Sequence, residues 1–145
     1  MVAGSKTMMD PDFGSLKYCV DAWDGLAPFA FEPSHTTHFA VQIKAPDSGP
    51  TDAQREVFRE LKARYEQLWP SIAQALIKCC DGVSDAEELR GLLNSTVGLY
   101  MIEDFDDPSE AEFELVYDLN RPNADSQACF VRLRPWEVME AAMAE

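Results

Sequence analysis

A chain of 145 residues that is 46% hydrophobic and 26% charged has the size and balance of one globular domain with room for a sizeable core. Its net charge of −14 argues against nucleic acid or an anionic membrane surface as a ligand, because both reward a basic footprint. No apolar run reaches the roughly 18 residues of a membrane-crossing helix, and "MVAGSKTMMDPDFGS" lacks the apolar centre of a signal peptide, so a cytoplasmic protein is expected.

Residues 1–14 are small, polar and broken by glycine and proline without periodicity, which predicts a loose arm in front of a single domain. From Leu16, "LKYCVDAW" is rich in strand formers and runs into the turn signal Asp24-Gly25. "LAPFAFE" can return antiparallel, with Pro28 confining that strand to an edge or to its beginning. A third strand, "THFAVQIKA", alternates Phe39, Val41 and Ile43 with Ala40, Gln42 and Lys44. "PDSGP" then breaks the pattern.

From Thr51, a natural N-cap, apolar residues recur at Val57, Leu61, Tyr65, Leu68, Ile72, Leu76 and Cys79, the stripe of a core-facing helix. As one rod, residues 51–81 would span roughly 46 Å, against a radius of gyration of about 15 Å for a compact chain of this length. Pro70 is therefore expected either to kink the rod or to open a second helix. "SDAEELRGLLN" reads as a further short helix capped by Ser84 and ended by Asn94. "TVGLYMIED" returns to strand character and leads into an acidic turn.

Phe113 to Pro135, "FELVYDLNRPNADSQACFVRLRP", holds two alternating segments. One register sets Phe113 opposite Leu133, Leu115 opposite Val131 and Tyr117 opposite Cys129 on one face, and Glu112 opposite Arg134 and Glu114 opposite Arg132 on the other. Val116 then falls opposite Phe130 among the charges, an apolar spot that needs a cover. The tail "PWEVMEAAMAE" leaves residues 136–144 open between helix and strand, since Pro135 and the alanines favour one and the Trp136/Val138 alternation permits the other.

Between residues 103 and 118 stand eight acids and no base, more than half of the net charge of −14. Asp104-x-Asp106 resembles the start of a calcium loop, but Pro108, Ser109 and Leu115 occupy positions where the loop needs a ligand, a sharp-turn glycine and a bidentate glutamate. His35 and His38 have no cysteine pair of ligand spacing beside them, so no metal and no cofactor is expected. The cysteines Cys19, Cys79, Cys80 and Cys129 are expected as free, partly buried thiols. Core packing is the ordinary role for Trp23, Trp69 and Trp136. Glycine-rich phosphate loops and a nucleophile elbow are absent from the sequence.

The segments "AWDGLAPF", "YEQLWPSIAQALIKCC", "FELVYD" and "ACFVRLRPWEV" together resemble small bacterial domains of unknown function sometimes found near immunity-type proteins. That resemblance implies an antiparallel sheet with helices inserted between an N-terminal and a C-terminal set of strands, and a final strand. It brings no catalytic residues.

The expected fold is α+β, a mainly antiparallel sheet with the helices of residues 51–94 packed on one face. The expected function is a non-enzymatic binding protein of immunity or regulatory type, presenting Asp104, Asp106, Asp107 and Glu110 to a basic protein, with Val116 and Phe130 as an apolar contact that also suits a homodimer. The rival is a small hydrolase or transferase using a thiol or carboxylate in a cleft between sheet and helices, which requires such a group within reach of His35 or His38.

Overall fold

In the computed structural model, which describes residues 6–143 apart from 81, 102, 104 and 121–126, the described residues form eight strands in one sheet whose spatial order is the order of the chain. β1 (Thr7–Asp10), β2 (Gly14–Cys19), β3 (Ala22–Phe31) and β4 (Thr36–Lys44) make one antiparallel meander. β5 (Leu93–Met101), β6 (Phe113–Leu119), β7 (Gln127–Arg134) and β8 (Glu137–Met143) make another. The two meet where β4 and β5 run parallel, His38 beside Thr96 through Ile43 beside Met101. Parallel neighbours need a long crossover, and α1 (Asp52–Cys79) followed by α2 (Ala86–Leu92) supplies it. The fold is α+β with the sheet dominant.

α1 starts where the sequence places it. Thr51 Oγ1 accepts from the Gln54 amide at 3.1 Å, Gln54 Oε1 accepts from the Thr51 amide at 2.9 Å, and Gln54 Nε2 donates to the Lys44 carbonyl at 2.9 Å, so the cap also ties the helix to the end of β4. The stripe Val57, Leu61, Tyr65, Leu68, Ile72 and Leu76 is buried against the sheet. Helical structure continues through Pro70, so neither a second helix nor an interruption forms there. Pro70 and Glu66, whose carbonyl loses its donor, are both exposed, and water can satisfy what the ring removes. The rod therefore runs unbroken over 28 residues, about 42 Å, comparable with the roughly 34 Å that eight strands at about 4.8 Å spacing span.

Four boundaries differ from the sequence-based expectations. Residues 7–10, expected within a loose arm, pair with β2 as β1. Their anchor is Asp10, whose buried carboxylate accepts from the Asp12 and Phe13 amides at 2.9 and 3.0 Å and from Arg55 Nε of α1 at 2.7 Å; Phe13 stacks on Phe58 at 4.6 Å beside it. The turn between β2 and β3 falls at Val20-Asp21, with Cys19 paired to Ala22, and not at Asp24-Gly25. Gly25 is a strand residue chosen for close approach: a Cβ there would stand 2.6 Å from the Ser15 carbonyl oxygen and 2.7 Å from Leu16 Cδ2. α2 is capped by Asp85, which accepts from the Glu88 amide at 2.8 Å, and not by Ser84; it ends at Leu92 and not at Asn94, because Leu93 already has extended backbone and Leu93 and Asn94 belong to β5.

Pro28 pairs with His38 of β4, beyond the stretch of β3 that pairs with β2, so the missing amide removes no bond from the β2 side. The β6–β7 register is the one derived from the alternation: Phe113, Leu115 and Tyr117 face Leu133, Val131 and Cys129, all buried. The open choice over the tail resolves as a strand, β8, which pairs with β7 and lies beside α1. Trp23 and Trp69 are buried, and Trp136 is half-buried at the end of β7, 6.0 Å from the Phe113 ring and under the Arg64 guanidinium.

Replacing Pro70 by alanine restores an amide donor and a better helix former at an exposed position, and is expected to stabilise the protein by roughly 1–3 kcal/mol in a denaturant titration. At Asp10, burial alone would raise the carboxyl pKa, but the Phe13 amide, the Arg55 guanidinium and the Asp12 amide together hold it below 3.8. A carboxyl lowered in the folded state contributes stability that is complete well above its unfolded value and is lost as the pH falls through the folded one. Asp10→Asn should therefore cost roughly 2–3 kcal/mol near neutral pH, with the gap to the wild type closing below about pH 4 when stability is followed against pH.

Candidate functional site

With both helices on one face, the outer face of the sheet is uncovered among the described residues. Successive pairings set Leu26 beside Ala40, Ala40 beside Gly98, Gly98 beside Val116, Val116 beside Phe130 and Phe130 beside Ala142. An apolar row thus crosses six strands on the outer face. Gly98 keeps it flat, since a Cβ there would stand 3.3 Å from Val116 Cβ. Two residues along each strand, a polar row runs parallel to it: Asp24, Gln42, Tyr100, Glu114, Arg132 and Glu140.

Arg132 is the hub of the charged end. Its guanidinium lies 3.5 Å from Glu112, 3.9 Å from Glu114 and 3.2 Å from Glu140, while Arg134 reaches Glu112 at 3.5 Å. The ladder of opposite charges read from the alternation is therefore present, and Glu140 of β8 adds to it. Beside it opens a cleft of about 380 Å³ lined by Glu103, Phe105, Glu110, Glu112, Glu114 and Arg132. Carboxylates dominate the lining, and Phe105 supplies an aromatic wall packed on the core.

The acids expected to act as one patch are divided. Glu110 joins the cleft, while Asp107 lines a separate hollow with Glu56 and Glu60 of α1 and with Trp136. Asp107 caps the short 3-10 helix Pro108–Glu110 by accepting from the Ser109 amide at 2.9 Å, a bond that holds its carboxyl below the usual range. Asp106 is exposed, and Asp104 lies outside the described residues. Val116 and Phe130 are half-buried neighbours on the outer face, as their register requires. Sequence reasoning did not assign Glu103, Phe105, Glu112 or Arg132 to a site. The signal for them was the alternation that puts Glu112 and Glu114 opposite two arginines.

Among the described residues, neither histidine meets a thiol or a carboxylate. His35 sits at the end of the 3-10 helix Glu32–Ser34 with φ 57°, and His38 Nδ1 lies 3.1 Å from the Thr37 hydroxyl. Two buried polar groupings do occur elsewhere. Tyr65 of α1 and Tyr117 of β6 share a short hydrogen bond in the core, next to Ser34 and Thr36, and burial pushes both phenols up, with hydrogen bonds from Tyr117, Ser34 and Thr36 partly offsetting this at Tyr65. Cys79, Cys80 and Cys129 come together at the end of α1, while Cys19 is exposed. Burial and the Cys80 thiol raise Cys79 to about 11, a hydrogen bond with Cys129 offsetting part of the rise, and Cys129 is raised further by burial and by both neighbouring thiols.

No family model, no curated protein and no solved structure matches the chain.

Removing the hub should leave Glu112, Glu114 and Glu140 facing one another without their shared cation. Arg132→Gln is expected to cost at most about 1 kcal/mol, because these groups are partly exposed, and the loss should shrink as salt is added; denaturant midpoints at low and high ionic strength measure both.

Proposed function

We propose that the protein is a cytoplasmic, non-catalytic binding domain of regulatory or immunity type, which docks a basic protein surface on the outer face of its sheet. The observation that carries this is the juxtaposition of the acidic cleft at Glu103, Glu110, Glu112 and Glu114 with the adjoining half-buried pair Val116 and Phe130. A carboxylate cleft with an aromatic wall suits the head and stem of a lysine or arginine side chain, and the apolar pair supplies a dry contact beside it. The two parts have different kinetic roles. Exposed acids such as Asp106 and Glu110 accelerate encounter with a cationic partner, whereas the Val116–Phe130 contact slows its departure.

A homodimer is favoured by a second observation, the apolar row that continues from Leu26 to Ala142 across six strands in register. A two-fold pairing would bury the same row from each copy.

The test is a pull-down at low and at physiological salt, followed by surface-immobilised kinetics on whatever basic protein is retained. Reversing Asp106 and Glu110 to lysine should slow association by about tenfold at low salt, while Phe130→Asp should speed dissociation and leave the melting temperature nearly unchanged. Retention of no basic protein at either ionic strength sinks the docking hypothesis. Sedimentation that shows a dimer abolished by Phe130→Asp transfers the face to a second copy.

A further inference from the structure

Three of the four cysteines converge at one point, although Cys129 is far from the other two in sequence. Cys79 is the last residue of α1, and Cys80 is its C-cap, turned into extended backbone (φ −108°, ψ 114°). Cys129 projects from the inner face of β7, opposite Tyr117. The sulfurs of Cys80 and Cys129 are 2.7 Å apart, those of Cys79 and Cys80 are 3.6 Å apart, and all three lie within 4.8 Å of one another. Cys80 and Cys129 are buried, and Cys79 is half-buried, so the trio reaches the surface on one side only.

Cys80 and Cys129 belong to the core cluster, where a thiol packs as a small hydrophobe. Packing alone asks for no contact between sulfurs, and thiols are weak donors and weak acceptors, so neither brings three sulfurs to one point. A disulfide would use Cys80 and Cys129, require an oxidant, and leave Cys79 without a role. One chemistry uses all three, the coordination of a thiophilic cation. Tetrahedral zinc, at about 2.3 Å from each sulfur, sets its ligand sulfurs roughly 3.8 Å apart; Cys79 and Cys80 are already near that spacing, Cys80 and Cys129 would have to part by about 1 Å, and no pair exceeds 4.8 Å.

Charge selects the oxidation state. Three thiolates around a divalent ion leave a single surplus negative charge, and around a monovalent ion they leave two. The site is buried and sits at the C-terminal end of α1, the negative pole of a long helix, where excess negative charge is penalised and a cation is favoured.

We propose that Cys79, Cys80 and Cys129 form a three-thiolate site for a divalent thiophilic cation of the zinc class, which pins the end of α1 to β7. Each thiol gives its proton to solvent as its sulfur–metal bond forms, so three protons leave for each ion that enters. The site is independent of the docking face, since the cysteines lie on the inner side of the sheet.

The test is a titration of the full-length, fully reduced protein with Cd²⁺ in the absence of oxygen, followed by ultraviolet thiolate-to-cadmium absorption. One ion per chain is expected, displaced by Zn²⁺, with Cys19→Ser behaving as wild type. Cys79→Ser, at the half-buried position where folding is least at risk, should weaken Cd²⁺ binding at least tenfold and abolish the rise in Tm that Zn²⁺ produces in the wild type, with an unchanged circular dichroism spectrum. Cys129→Ser should lose the band altogether. No band in the reduced protein, or full affinity in Cys79→Ser, overturns the proposal.

Discussion

A sheet laid down almost entirely in chain order has two faces to dispose of, and this chain provides one element long enough to cover one of them. α1 is that element. Everything apolar on the inner side, from Leu16 and Trp23 through Phe39 and Val97 to Leu115 and Val131, is buried because the stripe from Val57 to Leu76 lies over it. Each anchor of the helix also ties down a strand: Gln54 binds the end of β4, Arg55 binds Asp10 at the end of β1, and Tyr65 binds Tyr117 of β6. The aromatic rings of Phe29, Phe31 and Phe39 gather around Tyr65, at 5.7, 5.1 and 5.6 Å. Loss of the helix would expose the whole inner face at once, so the sheet cannot persist without it.

The second face follows from the first. Among the described residues no further helix has comparable length, and the outer side is left to alternate residues, which are charged at the β6–β8 end and apolar in the single row through Gly98, Val116 and Phe130. The charges there are largely internal partners of Arg132 and Arg134, so the row is flanked by a neutralised lattice rather than by a field of one sign. Surplus negative charge collects in the loop before β6, where Glu103 and Glu110 stand at the mouth of the cleft.

Much of this was legible from residue order alone, and what was not has physical causes. Periods of two and of about 3.6 residues mark a face, so the β6–β7 register and the α1 stripe could be read directly. Turn residues report local geometry only, and Asp24-Gly25 misled because Gly25 answers to Ser15 and Leu16 of the neighbouring strand rather than to a bend. β1 is four residues long and owes its place to one carboxylate bound by a helix that begins far downstream, which no window of sequence displays. The size argument against a continuous α1 took the body to be round, and Pro70 lies on the exposed side of the helix, where the lost hydrogen bond can be met by water. Neighbour choice is equally silent in a strand, so the parallel junction of β4 with β5 was invisible. For the candidate site, the acids were visible as a run, but which of them share a hollow is decided by the short 3-10 helix at Pro108, which turns Asp107 toward α1 and Glu110 toward Arg132. The convergence of Cys80 with Cys129 is of the same kind, a meeting made by tertiary structure.

The parallel junction has a consequence for how the molecule comes into being. As the chain leaves the ribosome, β1 to β4 can zip together through short hairpins, and α1 then has a greasy floor to settle on. The far margin of β4, however, stays unmated until β5 is made, after the whole crossover has been synthesised. Through that interval a half-built sheet offers a row of bare amides and carbonyls to any strand nearby. The exposed Gln42 and Lys44 on that strand make this bare margin less welcoming to such a visitor.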